Sequence, residues 1–287
     1  MLETFAKLFP GQGRSVGSWQ PLRLLLAAAL VAGLAACSSD DELIPTDPNE
    51  ASVEELYDRA VFTMEAGEYA TAAVLFDDVE RLYPYSIWAP RAQLMAAYAY
   101  YLDNRYDEAI NSLDRFIELH PGSKDAPYAH YLKALSYYEQ ISDVERDQQM
   151  TRQALSALND VIRRYPDSRY ARDARLKRDL AVDHLAGQEM LVGRFYQDKG
   201  DYLAAINRYR AVITQFQTTT QVPEALHRLV EAYMALGIMR EAQATAAVLG
   251  YNYPGSQWYT DSYYLLTGVD LRPEEQPDSW IAGVWPF

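Results

Sequence analysis

One short pattern recurs along this chain and limits how it can fold. Four times a stretch of helical character ends at Tyr or His, followed by Pro, one further residue and Ser. Proline cannot continue a helix, and a serine side chain can cap the next one. The pattern therefore predicts a helix end followed by a helix start at each copy. The four copies span residues 83–86, 120–123, 165–168 and 253–256, and a degenerate fifth spans 216–219.

A fixed spacing of apolar residues precedes each closing turn. Twelve residues before the proline, or before Gln217 in the degenerate copy, the chain always carries alanine. A large residue stands three positions earlier, except for Thr151, and two further positions follow four and seven residues later. These offsets form one stripe of a helix, with a small residue where two helices cross closely. The five crossing alanines are Ala72, Ala109, Ala154, Ala205 and Ala242.

This spacing resembles the tetratricopeptide repeat, whose second helix carries the same alanine and ends at a proline. By that resemblance we expect an all-α fold, a right-handed α-solenoid of about five tetratricopeptide-like helix pairs plus a C-terminal capping helix near 258–266. The unequal distances between closing turns predict two departures. One is a charged insertion near 141–149 in the third pair, and the other is a long first helix, roughly 170–198, in the fourth.

The N-terminal stretch predicts export and lipidation. Residues 24–36 are apolar but shorter than the roughly 20 residues that span a bilayer. Arg14 and Arg23 precede them, as in a secretory signal, and the stretch ends at Cys37, the only cysteine. It resembles the lipobox of bacterial lipoproteins, whose cysteine is acylated and becomes the mature N-terminus; Ser38 after it then favours the outer membrane. We expect a signal peptide at 1–36, a flexible acidic tether at 37–50, the repeat domain at 51–269 and an irregular tail at 270–287.

The charge of the chain argues against nucleic-acid binding. Removing residues 1–36 takes away three of the 26 basic residues and one of the 40 acidic ones, which leaves a formal charge of −16. Phosphate binding needs clustered Lys and Arg. We therefore expect no nucleic-acid partner, and we expect membrane attachment to depend on the lipid at Cys37.

No residues assemble into a catalytic, cofactor or metal site. The sequence has no Gly-rich phosphate loop and no nucleophile elbow. Its histidines never stand four residues apart, and no cysteine accompanies them as a ligand. We therefore expect a non-enzymatic protein without cofactor or metal. The four histidines are His120, His130, His184 and His227.

Tyrosines dominate the positions that line the groove in tetratricopeptide proteins, which lie mainly on the first helix of each repeat. Tyrosine gives a large contact area at small entropic cost and suits the recognition of extended peptides. The alternative, that these rings pack between helices, stays open for each of them. The candidate peptide groove of repeats one to three comprises Tyr57, Arg91, Tyr98, Tyr101, Tyr128, Tyr131 and Tyr138, with Arg91 as a candidate partner for a terminal carboxylate.

The whole arrangement resembles the BamD family, the lipoproteins of the outer-membrane β-barrel assembly machinery. The resemblance rests on four short sequence motifs: Leu56-Tyr57, the Gly-Glu-Tyr at 67–69, the Tyr-Pro-Tyr-Ser at 83–86, and Phe116-Ile117 before the second closing turn. The resemblance implies a scaffold anchored in the outer membrane and facing the periplasm. Its N-terminal repeats would bind the C-terminal segments of unfolded outer-membrane proteins. Its C-terminal repeats would bind the periplasmic domains of the barrel-forming subunit, alongside other assembly lipoproteins.

Two alternatives remain open from the sequence. One is a tetratricopeptide adaptor of periplasmic cell-wall synthesis or division, although the lipobox and the lack of sustained heptads argue against it. The other is a lipoprotein that activates a murein hydrolase.

Overall fold

The computed structural model describes residues 51–268 of the 287-residue chain. The predicted signal peptide, the tether with Cys37 and the C-terminal tail lie outside the described residues. Within that range the chain forms eleven α-helices and no strand. They are α1 (Val53–Glu65), α2 (Tyr69–Leu82), α3 (Ala89–Leu102), α4 (Tyr106–Leu119), α5 (Ala126–Tyr138), α6 (Gln149–Arg164), α7 (Arg169–Asp198), α8 (Tyr202–Gln215), α9 (Val222–Ala235), α10 (Met239–Asn252) and α11 (Gln257–Thr267).

The helices stack in the order of the chain. Each packs against the one before it and the one after it, and α11 packs against both α9 and α10. The ten helices α1 to α10 form five pairs, or repeats, and α11 covers the last of them. The predicted all-α, tetratricopeptide-like solenoid with a capping helix is confirmed. Each pair buries its apolar stripe against its neighbours, as expected for a solenoid.

The five closing turns share one geometry. In each, the residue after the second helix donates its backbone N–H to the carbonyl four residues back, as Tyr83 does to Val79 at 3.0 Å. The residue three positions further on then donates to that turn residue's carbonyl at 3.0–3.1 Å, including Thr219 to Phe216 in the degenerate copy. Ser168 and Ser256 cap the next helix through their side chains, as predicted. The turn therefore does not require proline.

The crossing stripe lies at the centre of the stack. All five crossing alanines have no exposed surface, and the positions four and seven residues after them are at most 1% exposed. The position three residues before them is less uniform. Thr151 is buried and donates to the Gln148 side chain at 2.7 Å, whereas Met239 is 43% exposed. The prediction of a buried apolar side chain at Met239 is therefore wrong. The predictions for the alanine and for the positions four and seven residues after it are confirmed in all five repeats.

The two predicted departures from regular repeats lie against each other. The insertion connects α5 to α6 and is held by the buried Gln148, whose amide donates to the Asp143 and Arg146 carbonyls at 3.0 Å. The Nε2 atom of His184, on the 30-residue helix α7, lies 2.9 Å from the Ser142 carbonyl. The added loop thus packs on the added helical turns.

Candidate functional site

The first helices of repeats two, three and four bring six tyrosines together, and we call this set the tyrosine surface. The Tyr98 and Tyr128 rings meet edge to face with centroids 6.5 Å apart. Tyr170 then links the row onward, 5.5 Å from Tyr128 and stacked on Tyr131 at 5.2 Å. All six side chains are half-buried. The members are Tyr98 and Tyr101 on α3, Tyr128, Tyr131 and Tyr138 on α5, and Tyr170 on α7.

The hydroxyls of two of these tyrosines donate hydrogen bonds to carboxylates. The Tyr101 hydroxyl donates to Glu139 at 3.3 Å, and the Tyr131 hydroxyl donates to Asp173. Burial, reinforced by Glu139, raises the pKa of Tyr101 to about 12, and burial together with Asp173 raises the pKa of Tyr131. These phenols are therefore neutral hydrogen-bond donors at any ordinary pH.

The other three phenols with no such bond are Tyr98, Tyr128 and Tyr138: within residues 51–268 their hydroxyls have no hydrogen-bond partner. Tyr98 and Tyr128 are the two of these whose rings meet. Burial raises the pKa of Tyr128, so this group also stays protonated. A neutral tyrosine hydroxyl can donate one hydrogen bond and accept others. These two groups are thus able to bond a ligand that reaches their rings.

Cations lie over the aromatic rings of this region. The Arg169 guanidinium carbon lies 4.8 Å from the Tyr170 ring centroid, and its Nη2 donates to the Tyr170 hydroxyl at 2.7 Å. The Lys177 ammonium lies 5.0 Å from the Tyr138 ring centroid and 3.8 Å from the Asp173 carboxylate. Arginine over an aromatic face is held by cation–π attraction while its remaining N–H groups stay available.

Of the seven predicted groove residues, five belong to the tyrosine surface and two do not. Tyr57 is buried in the core, with only 8% of the residue exposed, which favours the alternative left open above, that its ring packs between helices. Its ring packs 5.5 Å from Phe76 and 4.8 Å from Trp88, because Trp88 arrives from the next repeat and covers it. Arg91 is exposed, and its guanidinium carbon lies 5.8 Å from the Trp88 ring centroid.

Sequence reasoning missed Tyr170, although a signal for it exists. An aromatic residue stands two positions after the closing serine at Trp88, Tyr170 and Trp258. Each packs on the preceding first helix: Trp88 on Tyr57, Tyr170 on Tyr128 and Tyr131, and Trp258 on His227 at 5.2 Å. Their constant distance of two residues from the closing serine was visible in the sequence. Using it would have added Tyr170, and so repeat four, to the predicted groove.

A buried polar network, also missed, joins the helices of repeats four and five to α11. Tyr209 donates to the Gln197 side chain at 2.8 Å, and Gln197 donates to Glu231 at 2.8 Å. Glu231 also faces His227 Nε2 at 3.4 Å, and the other His227 nitrogen lies 2.8 Å from the Ser262 hydroxyl. Burial opposes ionisation of Glu231, but hydrogen bonds from His227, Gln197 and Arg228 outweigh it and lower its pKa to about 2.

Residues 51–268 hold neither a metal site nor a membrane span. No group of three or more His, Cys, Asp or Glu side chains in that range is arranged to hold a metal ion. No helix in it has both the length and the apolar character needed to cross a bilayer.

Residues 49–249 match the family model described as YfiO, outer membrane lipoprotein. The chain belongs to the YfiO family. The chain is 51% identical over 253 residues to the outer membrane protein assembly factor BamD of Caulobacter vibrioides, covering 88% of this chain and 82% of that protein. The proteins of the same name from Rickettsia prowazekii and Neisseria meningitidis serogroup A are 45% and 34% identical, covering 85% and 89% of this chain and 97% of each relative.

These YfiO-family relatives confirm the resemblance to the BamD family. They are named as assembly factors and not as enzymes, which agrees with the prediction of a non-enzymatic protein. Among solved structures, a thermophilic TPR protein of Thermus thermophilus is 20% identical, with a TM-score of 0.35 over 76% of this chain and 100% of that one. The TPR protein YrrB, described as having an unusual peptide-binding site, is 15% identical, with a TM-score of 0.34 over 74% and 92%.

Proposed function

We propose that this chain is a non-enzymatic scaffold of outer-membrane protein assembly, anchored in the outer membrane by a lipid on Cys37 and facing the periplasm. Membership of a family of outer membrane lipoproteins supports the anchor, and the relatives' name supports the role in assembly. The sequence that ends at Cys37 resembles the lipobox at which bacterial lipoproteins are cleaved and acylated, which also supports the anchor.

The tyrosine surface receives the extended, aromatic-ended C-terminal segment of unfolded outer-membrane proteins. The observation that carries this proposal is the pair of half-buried rings at Tyr98 and Tyr128, whose hydroxyls have no partner among the described residues. Aromatic side chains of a client can pack edge to face on such rings. An extended segment also has unpaired backbone carbonyls, which can accept hydrogen bonds from the two phenols.

A cation beside these rings gives the bound segment a direction. Arg169 is held over Tyr170 by its ring contact and its 2.7 Å hydrogen bond, and it is the first candidate for this role. Lys177, over Tyr138, is already close to the Asp173 carboxylate. A guanidinium binds a terminal carboxylate through charge-assisted, often bidentate, hydrogen bonds. Arg91, exposed beside Trp88, is the second candidate for this role.

Peptide binding tests the recognition surface. A fluorescent peptide ending in phenylalanine is titrated with the mature chain, and anisotropy gives the affinity. Tyr98→Ala should weaken binding about tenfold or more, because aromatic anchors dominate such interfaces. The Tyr98→Phe/Tyr128→Phe double variant keeps the rings and should lose less. Tyr251→Ala, which removes an exposed tyrosine of α10, is the matched control and should bind like wild type. If Tyr98→Ala had the peptide affinity and the melting curve of wild type, the tyrosine surface would be excluded as the peptide-binding site.

Amidation of the peptide's C-terminus tests the direction. The amidated peptide should bind wild type more weakly than the free acid, since the charge-assisted bond is lost. In Arg169→Gln the two peptides should bind alike. If only Arg91→Gln removes the difference, the carboxylate lies at Trp88 instead.

Repeats four and five bind the periplasmic domains of the barrel-forming subunit, alongside other assembly lipoproteins. Within repeat four, an open cavity of about 320 Å³ between α7 and α8 offers one concave surface that a partner could cover. Its edge carries the ion pair of Arg208 and Glu189, 3.2 Å apart. Co-purification from detergent-solubilised outer membrane tests the assignment. Recovery of cell-wall synthases or murein hydrolases, without the barrel-forming subunit, would favour the alternative roles.

Cys37→Ser tests the anchor. Palmitate labelling should be lost while the helical circular dichroism and melting of the repeat domain stay unchanged, because Cys37 lies outside the repeats. A labelled mutant would place the lipid elsewhere.

A further inference from the structure

The closing turn of repeat one presents two large apolar side chains to solvent. This turn, residues 83–88, connects α2 to α3. Tyr85 is fully exposed and Ile87 is 89% exposed, and they stand two residues apart. We call this pair the apolar tip.

The turn that carries the tip is held in place at both ends. The Ser86 backbone N–H donates to the Tyr83 carbonyl at 3.0 Å, and the Ser86 hydroxyl accepts from Ala89 at 3.1 Å. Trp88, directly after the tip, packs its ring on Tyr57 and donates its indole N–H to Glu54 at 3.1 Å. These contacts fix the backbone of the turn in the conformation that leaves Tyr85 and Ile87 exposed.

The other closing turns lack this feature. The residue in the place of Tyr85 is Gly122, Asp167, Thr218 or Gly255, and the residue in the place of Ile87 is Lys124, Arg169, Thr220 or Gln257. These residues are small or polar, as is usual for exposed turns. Maintaining the fold does not account for the apolar tip, since four turns of the same geometry form without it.

The position of the tip indicates its partner. The bond from Trp88 to Glu54 sets the turn beside the first residues of α1. The chain that leads back to Cys37 joins the solenoid at this same end, sixteen residues before Val53. Sixteen extended residues span at most about 55 Å, so an anchor at Cys37 holds this end of the solenoid within that distance of the membrane and allows it to reach the surface.

We propose that the apolar tip inserts into the lipid interface of the membrane that holds Cys37. The inference rests on the proposed lipid anchor. Tyrosine favours the interface between acyl chains and head groups, and an aliphatic side chain beside it gains from burial below that level. Two side chains bind a bilayer weakly alone, but the anchor converts their insertion into an intramolecular step with a high effective concentration.

The charges around the tip are of both signs. Glu54 and Glu55 occupy the first turn of the neighbouring helix α1 and oppose binding to anionic head groups, whereas Arg91, exposed beside Trp88, favours it, so the charges give no net preference for anionic lipid. Insertion should therefore depend on apolar burial, occur on zwitterionic lipid, and persist at high salt, which screens surface charges.

The single cysteine of the chain makes the test simple. With Cys37 acylated, Ile87→Cys introduces the only free thiol, which takes an environment-sensitive fluorophore. The lipidated, full mature protein is reconstituted into phosphatidylcholine vesicles, with palmitate incorporation measured on the same sample. The label should shift to the blue and be quenched by lipids that carry a spin label near the head group. Lys124→Cys, the equivalent position in the next closing turn, is the matched control and should remain water-like.

Each result decides the inference. A water-like label at position 87 on protein that carries palmitate would overturn the insertion and leave the proposed anchor intact. A protein without palmitate would overturn both. A label that responds only when the client peptide is added would assign the tip to the client surface instead. Loss of quenching when Tyr85→Ser is added to Ile87→Cys would support cooperative insertion of the pair.

Discussion

At the scale of single residues, the crossing alanines are the positions that least tolerate a larger side chain. Ala109 has no exposed surface. Ala109→Leu should lower the free energy of unfolding by about 1–3 kcal/mol, the usual cost of overpacking a close-packed site. Urea titration gives the value. Asn111→Leu, exposed on the same helix, is the control and should change stability little. Equal stability of the two variants would contradict the helix register.

Glu231 predicts the pH dependence of repeats four and five. Its pKa is about 2 in the folded chain against an ordinary value of 4.5. A lowered folded pKa stabilises the fold above the unfolded pKa, and this contribution is lost as pH falls from about 4.5 toward 2. Glu231→Gln should be less stable than wild type at pH 7, and the difference should shrink as the pH is lowered through that range. A difference in unfolding midpoint that does not vary with pH would refute the assignment.

Residue roles were predictable where they recur and unpredictable where they depend on a single neighbour. The alanine position was evident because five copies repeat it. Tyr57 has the residue type and register of a groove position, yet Trp88 of the next repeat buries it. Asp173 gave no sequence signal, because its pairing with Tyr131 depends on how α5 and α7 cross. Arg169 pairs with the adjacent Tyr170 on the same helix, and it was missed together with that tyrosine.

At the scale of helices, two contacts between a tyrosine ring and a glycine allow neighbouring helices to pack at short distance. A methyl group at Gly193 would lie 2.4 Å from the ring of Tyr209, which has no exposed surface, and Gly250 has the same relation to Tyr259. Both glycines allow a ring to lie directly on a helix backbone. This is why α8 can bury a tyrosine at the position where the other second helices carry Phe, Leu or Ala.

Gly193→Ala should therefore destabilise the chain. Overpacking costs about 1–3 kcal/mol, which exceeds the gain of about 1 kcal/mol from removing glycine inside a helix. Gly187→Ala is the matched control on the same helix, because its nearest atom, Val144 Cγ1, lies at an ordinary 3.6 Å. This control should be neutral or slightly more stable. Thermal melts of the two variants should shift in opposite directions, and parallel shifts would be evidence against the ring contact.

Helix ends were predictable because their chemistry is local. Proline and serine define the closing turns within four residues, and all five second helices end where the pattern placed them. The long first helix, predicted at roughly 170–198, spans Arg169–Asp198. The packing of the inserted loop on that helix was not predictable, since it depends on contacts such as His184 with Ser142 that are 42 residues apart.

At the scale of the whole molecule, stability passes from neighbour to neighbour. Trp258 of α11 packs on His227 and lies 5.6 Å from the Arg228 guanidinium. Trp258→Ala should reduce hydrogen-exchange protection in α9 to α11 and leave α1 to α4 unchanged, because each repeat of a solenoid is stabilised by its neighbours. Trp88→Ala, the equivalent change near the other end, should show the reverse pattern. A uniform loss of protection in either variant would mean that the stack unfolds as one unit.

The length of α7 has a mechanical consequence. Tyr170 and Lys177, near its start, contact the tyrosine surface, while Arg194 and Gln197, near its end, bind Glu224 and Glu231 of α9. From Tyr170 to Gln197 the helix runs about 40 Å without interruption at 1.5 Å per residue, so a tilt of about 5° at one end displaces the other by about 3.5 Å. The helix contains no proline that would absorb such a tilt. A tilt imposed on the end of α7 in repeats four and five would therefore be carried along this helix to Tyr170 and the rings it contacts.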